Sequence, residues 1–151
     1  MGQHSKNSSY DLRPISITAL RVDDSNDIQF DIRFTSPSCS CSLEFYGDED
    51  TFKDFASALK NFPRSLKDKV TFQIGEDNRN YAYYLSVNVL CSDPTGKTAI
   101  KVLADNFGDT TTGYRCEFAI MTSPAQINEL GYNLFLWKPK KDGDVFVWPE
   151  E

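Results

Sequence analysis

Four cysteines, one phosphate-loop-like tetrapeptide and a dense set of carboxylates are the residues of this 151-residue chain whose types could do chemistry. Cys39 and Cys41 lie two apart, so on a strand they share a face and could offer two thiolates to zinc. Zinc ribbons and knuckles instead place two residues between their cysteines in a turn, and Cys91 and Cys116 fall alone in separate segments. All four sit at inward positions among Phe, Leu and Val, where cysteine behaves as a small hydrophobe. Buried free thiols are the expectation, with a disulfide such as Cys91 to Cys116, or a metal site, as the alternatives. Thr95-Gly96-Lys97-Thr98 ends like a phosphate-binding loop, but Cys91 occupies the position of its first glycine and a strand-like run follows it. It reads as a hairpin turn. His4 is the only histidine, so no Ser/His or Cys/His pair can be assembled in the body of the chain. No catalytic residue, cofactor or metal is expected, and the protein is not expected to be an enzyme.

The carboxylates are more informative as a group. Sixteen Lys and Arg against 22 Asp and Glu give a net charge of −6, which opposes binding to a nucleic-acid backbone and suits a basic protein partner. The stretch Asp23 to Asp54 holds nine acids and only two bases, Arg33 and Lys53. Within it Asp27, Asp31, Asp48 and Glu49 are the candidate partner contacts, while Asp50 and Asp54 suit the first turn of a helix. The acidic pairs lack the alternating oxygen ligands and closing Glu of a calcium loop. Acids also collect in turns and on wet strand faces with no partner involved. Tyr81, Tyr83, Tyr84, Trp137 and Trp148 could line an aromatic platform, though all but Tyr84 fit a core pattern. Trp148, with the C-terminal tail, is the second candidate contact surface.

Period-two alternation dominates the elements that must position these residues. Strands are expected at 15–22, 27–34, 38–45, 70–74, 81–91, 97–104 and 114–120. Phe52, Phe55, Ala56, Leu59 and Phe62 fall at helical spacing, with Asp48 or Asp50 as cap and Pro63 as the stop. Ser123-Pro124 opens a second helix over 125–130. Gly131 then either sits inside a longer helix, at a cost of about 1 kcal/mol, or ends it. The Asp142-Gly143 turn signal favours the second reading, in which 132–137 and 145–148 form a C-terminal hairpin. No internal repeat or linker is visible. The expectation is α+β: residues 1–10 a disordered tail, and 11–151 one domain built as an antiparallel meander of about seven strands with one or two helices on one face. With 40% hydrophobic residues, no long apolar run and no signal-like N-terminus, the chain reads as soluble and cytoplasmic, with no membrane association.

The strand pair ending in Cys39-Ser-Cys-Ser-Leu-Glu-Phe45, followed at once by the Phe/Leu helix Thr51 to Phe62, is one recognisable unit. The long alternating stretch from Tyr81 to Ala104, then Tyr114 to Ile120 and Ser123 to Leu130, completes an order of elements covering about four fifths of the chain. This order resembles the small cytoplasmic immunity proteins of bacterial contact-dependent and polymorphic toxin systems, nearest to those that neutralise wall-associated-protein toxins. The resemblance implies a non-enzymatic protein that binds and blocks a cognate toxin domain through an acidic surface. It carries over no individual residue. The alternative is a ligand-binding or assembly module built on an antiparallel sheet.

Overall fold

The computed structural model describes residues 13–150; the expected tail at 1–10 lies outside them. Eight strands and two helices follow in the order β1 (Ile15–Val22), β2 (Ile28–Thr35), β3 (Ser40–Gly47), α1 (Lys53–Leu59), β4 (Lys69–Gly75), β5 (Tyr84–Cys91), β6 (Thr98–Asp105), β7 (Arg115–Thr122), α2 (Pro124–Leu136) and β8 (Asp144–Trp148). The fold is α+β, with the strands divided into two four-stranded antiparallel sheets, β3-β2-β1-β8 and β4-β5-β6-β7. The sequence-based expectation of one seven-stranded meander is therefore corrected: the chain after β3 leaves the first sheet through α1 and starts a second.

Alternation explains which face each sheet buries. Ile28, Phe30, Ile32 and Phe34 of β2 are all buried while the residues between them are partly exposed. Val70 and Phe72, Leu85, Val87 and Val89, and Ile100, Val102 and Ala104 do the same for the second sheet. These two inner faces and the apolar sides of α1 and α2 form one core. β3 runs along one end of the second sheet, with Phe45 reaching to within 6.4 Å of the Phe72 ring.

α2 is where sequence and structure differ most. Ser123 caps it by accepting from the Gln126 N–H at 3.3 Å, with Pro124 in the first turn, as expected. The helix then runs through Gly131 to Leu136, so 132–137 is not a strand and there is no C-terminal hairpin. Gly131 lies where α1 crosses. A Cβ there would meet the Ala56 carbonyl oxygen and the Lys60 nitrogen, each at 2.8 Å. Close helix approach, not helix termination, is what this glycine serves. From α2 the Asn128 side-chain amide donates to the carbonyls of Leu59 and Phe62, at 3.0 and 2.8 Å, and closes the C-terminal end of α1. The Asp142-Gly143 turn is real, but it returns β8 onto β1, pairing Ile17 with Phe146 and Ile15 with Trp148.

The strand orders disclose a repeat that the residues do not. Residues 15–75 run β-β-β-α-β, and residues 84–148 run β-β-β-α-β again. In each half the first three strands form a meander, and the fifth element, β4 or β8, pairs with the first strand of the other half. The register makes Ile15 equivalent to Leu85, Phe34 to Ala104 and Cys41 to Cys116. The absence of a sequence repeat is thus compatible with a repeated topology, because only inward-facing positions must match, and those need only be apolar.

Candidate functional site

Three of the four candidate acids are brought together at one end of the first sheet. Ile28 pairs with Gly47 as the last rung of the β2-β3 ladder, and Asp27 and Asp48 are the next residues beyond it. The turn before β2 is tight: Asp23 N–H donates to the Asp27 carbonyl at 2.8 Å, and Asn26 takes the left-handed φ of 73° that this residue type tolerates. On the other strand, Thr51 Oγ1 accepts from Asp48 N–H and the Asp48 carboxylate accepts from Asp50 N–H, both at 2.8 Å. The expected capping role thus falls one turn early. The cap position of α1 is Phe52, which makes no side-chain cap bond. Asp27, Asp48 and Glu49 are exposed.

Asp31 lies farther along the outer face of the same sheet, directly across from Glu44. Burial raises its carboxyl above the ordinary range; the negative charge of Glu44 adds to the rise and neighbouring Arg33 opposes it. Two like charges opposite one another on a strand pair repel. Glu44 is held there by the Gln29 side-chain amide, which donates to its carboxylate at 3.0 Å. Tyr46, next on that face, is 67% exposed, and its backbone N–H donates to the Tyr83 hydroxyl. Beyond Glu44 a groove of about 360 Å³ opens, bordered by Ser42, Tyr83, Asn106 and Tyr114. The Tyr114 hydroxyl closes its floor by donating to the Ser42 carbonyl.

A cationic flank that the sequence placed apart is also at this end. Asp142 accepts from the Val22 N–H at 2.8 Å, tying the segment before β8 to the end of β1. The Asp144 carboxylate accepts from the backbone of Lys140 and Lys141, and Lys138 reaches Asp50 at 4.0 Å. The acidic end is therefore bordered by bases on one side, while among the described residues Asp27 and Glu49 make no ion pair.

The second candidate surface is corrected. Trp148 is 1% exposed, pairs with Ile15 and donates its indole N–H to the Gln126 carbonyl at 3.1 Å, so it is a core residue that locks β8 under α2. Of the aromatic platform, Tyr81 is 45% exposed, in a bend before β5 instead of inside it. Cys39 is exposed, and Cys41, Cys91 and Cys116 are half-buried instead of fully inward; all four are free. Among the described residues no group of three or more His, Cys, Asp or Glu side chains is placed to hold a metal. Thr95 to Thr98 is the hairpin between β5 and β6, organised by Asp93, whose carboxylate accepts from Thr95 and Lys97.

Sequence reasoning missed the densest ionic cluster, because its members are far apart in the chain. Arg115 reaches both oxygens of Asp77 at 2.8 Å and Asp105 at 3.1 Å. Nearby Arg79 donates to the carbonyls of Phe107 and Gly108. These bonds tie the loops 76–83 and 106–114 together, so the cluster's donors are spent on structure. No helix among the described residues is long and apolar enough to cross a membrane. No protein-family model, curated protein sequence or solved structure matches the chain.

Proposed function

We propose that this protein is a non-enzymatic, cytoplasmic binding protein that neutralises a cognate bacterial toxin domain, as the resemblance to immunity proteins implies, by docking a basic surface on the acidic end and outer face of its first sheet. The single observation that carries the reading is the acid pair Asp31 and Glu44, opposite one another across β2 and β3, with Asp27, Asp48 and Glu49 exposed at the end of the same two strands. The fold does not require it: the positions equivalent to Asp31 and Glu44 in the second half are Lys101 and Ala119, which pair across β6 and β7. A scaffold that tolerates a cation there carries the repulsion for another reason, and a partner's Lys or Arg would relieve it. Tyr46, exposed between Glu44 and Asp48, has the amphipathic character of residues that anchor protein interfaces.

Long-range attraction of this kind mainly accelerates association and is screened by salt, with a Debye length of about 8 Å at physiological ionic strength. The test compares association rates with the product of the adjacent toxin-like gene for the natural chain and for a variant carrying Asp27→Lys, Asp31→Asn, Asp48→Lys and Glu49→Lys. Asp31 is neutralised, not reversed, because it is half-buried. The variant should associate at least about tenfold more slowly at low salt, with a flatter salt dependence. Its urea midpoint reports separately on folding, where Asp31→Asn stabilises and loss of the Asp48 carboxylate's bond from the Asp50 N–H destabilises. Equal association rates at every salt concentration would place the interface elsewhere.

A further inference from the structure

We propose that the groove beside Glu44 is an arginine pocket, which receives one arginine side chain of the basic partner; this rests on the binding reading above and names the chemistry by which that surface recognises its partner. The groove lies along the free edge of β3 and holds about 360 Å³, near the lower end of the roughly 300–1,000 Å³ of ligand pockets. That admits one long side chain, not a helix or a strand. Tyr83 and Tyr114 come from the segments before β5 and β7 and fasten onto this edge. Tyr46 N–H donates to the Tyr83 hydroxyl at 3.3 Å, and the Tyr114 hydroxyl donates to the Ser42 carbonyl. Successive residues of an antiparallel edge strand alternate in the side to which their backbone groups point. The bonds at Ser42 and Tyr46 therefore aim the backbone of Glu44, midway between them, into the space between the two tyrosines.

What is left unspent in the groove accepts hydrogen bonds. The Asn106 side chain is committed to its own loop, its oxygen taking the N–H groups of Gly108 and Tyr114 and its nitrogen donating to the Thr112 carbonyl. Glu44 is exposed, Gln29 donates to one of its carboxylate oxygens, and among the described residues it makes no ion pair. Glu44, with Asp31 across from it, puts negative charge at the mouth, and among the described residues no Lys, Arg or His lines the groove. Burial, then Cys41 and Cys116, then the charges of Asp31 and Glu44 push the Tyr114 hydroxyl up to about 12. Its ring therefore stays neutral and its hydroxyl stays a donor to Ser42 at physiological pH.

A guanidinium meets each of these features. Its planar face lies against an aromatic ring, and its N–H groups reach a carboxylate and a backbone carbonyl at once. Its methylene stem needs an apolar wall, which the Ala82 methyl and the tyrosine rings supply. A lysine ammonium is a compact, strongly hydrated charge that would use the carboxylate alone. An anion would meet Glu44 with no cation to offset it. Because both tyrosines are already bonded in the free protein, little ordering is left to the encounter.

The test titrates the isotope-labelled full chain with N-acetyl-arginine methylamide, and separately with the lysine analogue, following backbone amides by NMR at low salt. Saturable shifts should centre on Ser42, Glu44, Ala82 and Tyr114, and the lysine analogue should bind about threefold more weakly or worse. Glu44→Gln, which keeps the shape and removes the charge, should abolish saturation. So should Ala82→Trp, which fills the groove from an exposed position and leaves the charge, while the amides of β5 and β6 keep their natural positions in both variants. Ala82→Trp should also speed dissociation from the toxin-like gene product about tenfold. Shifts that stay linear in probe, shifts centred elsewhere, equal affinity for the two analogues, or dissociation unchanged by Ala82→Trp would overturn the proposal. The probe titration needs no toxin, so the two readings fail separately. A saturable pocket with no effect of the four-site variant on association sinks the acidic-surface reading alone, and slowed association with no saturable shift sinks the arginine pocket alone.

Discussion

Asp31 is the residue at which charge, burial and position can be separated. Its carboxyl is raised by burial and by Glu44, against the pull of Arg33, so between its unfolded and folded pKa values the folded protein holds more proton than the unfolded one. Stability from this group therefore increases as pH falls through the folded value, the reverse of the usual carboxylate. Asp68 is the usual case. Hydrogen bonds from the backbone and side chain of Arg64 lower its pKa, and its contribution is present above the unfolded pKa and lost as pH falls through the folded one. Urea unfolding of the natural chain and of Asp31→Asn at pH 7 and at pH 4.5 should show the variant ahead at pH 7 and the gap closing at pH 4.5. A gap that widens on acidification would mean that Asp31 is stabilised as an anion in the folded state. Of the candidate site, the sequence carried the acids but not their company. Counting charges located Asp27, Asp48 and Glu49 in one segment. The facing of Asp31 with Glu44 depends on register, and the approach of Lys138 to Asp50 depends on where β8 returns, and neither leaves a local trace.

Among the elements, strands were legible wherever alternation set them, as in β1 and β2, because a half-buried strand needs only a period of two. α2 was not, because Gly131 carries two physical meanings. In a chain segment it signals termination; between two helices it permits contact, and which of these applies is decided by α1, about seventy residues away. Exposed Tyr132 and Leu136, at 57% and 75%, add to the ambiguity, since they weaken the helical apolar face. The expected outcome for Gly131→Ala follows from the contact. Alanine raises helix propensity by about 1 kcal/mol. Its Cβ, however, would stand 2.8 Å from backbone atoms of Ala56 and Lys60 and 2.9 Å from the Leu59 Cβ. Backbone cannot rotate aside as a flexible side chain can, so α1 and α2 must separate. A net loss of about 2 kcal/mol is expected, within the usual cost of overpacking, read as a lower urea midpoint with an unchanged slope. A higher midpoint would show that the helices can part at no cost, and that the glycine serves neither helix.

At the scale of the molecule, the exchange of last strands between halves makes an independent half implausible on physical grounds. The first sheet is completed by β8, which belongs to the second half of the chain, and the second by β4, which belongs to the first. Neither sheet can keep all four of its strands while the other half is unfolded. α1 and α2 then meet in the core both sheets share, with Asn128 bonded to the end of α1. The chain should accordingly unfold in one cooperative transition. Trp148 is the place to probe it, since it fills the core from β8 and holds α2 through Gln126. Trp148→Ala removes a fully buried indole and should cost about 3–5 kcal/mol. If the halves are coupled as drawn, that loss is felt equally far away: amide exchange should accelerate by the same factor in β2 of the first sheet and β6 of the second, although β6 has no ladder contact with β8. Acceleration confined to the β3-β2-β1-β8 sheet, or two resolved steps in denaturant, would mean that the second sheet stands without the first and that the strand exchange is a matter of connection alone.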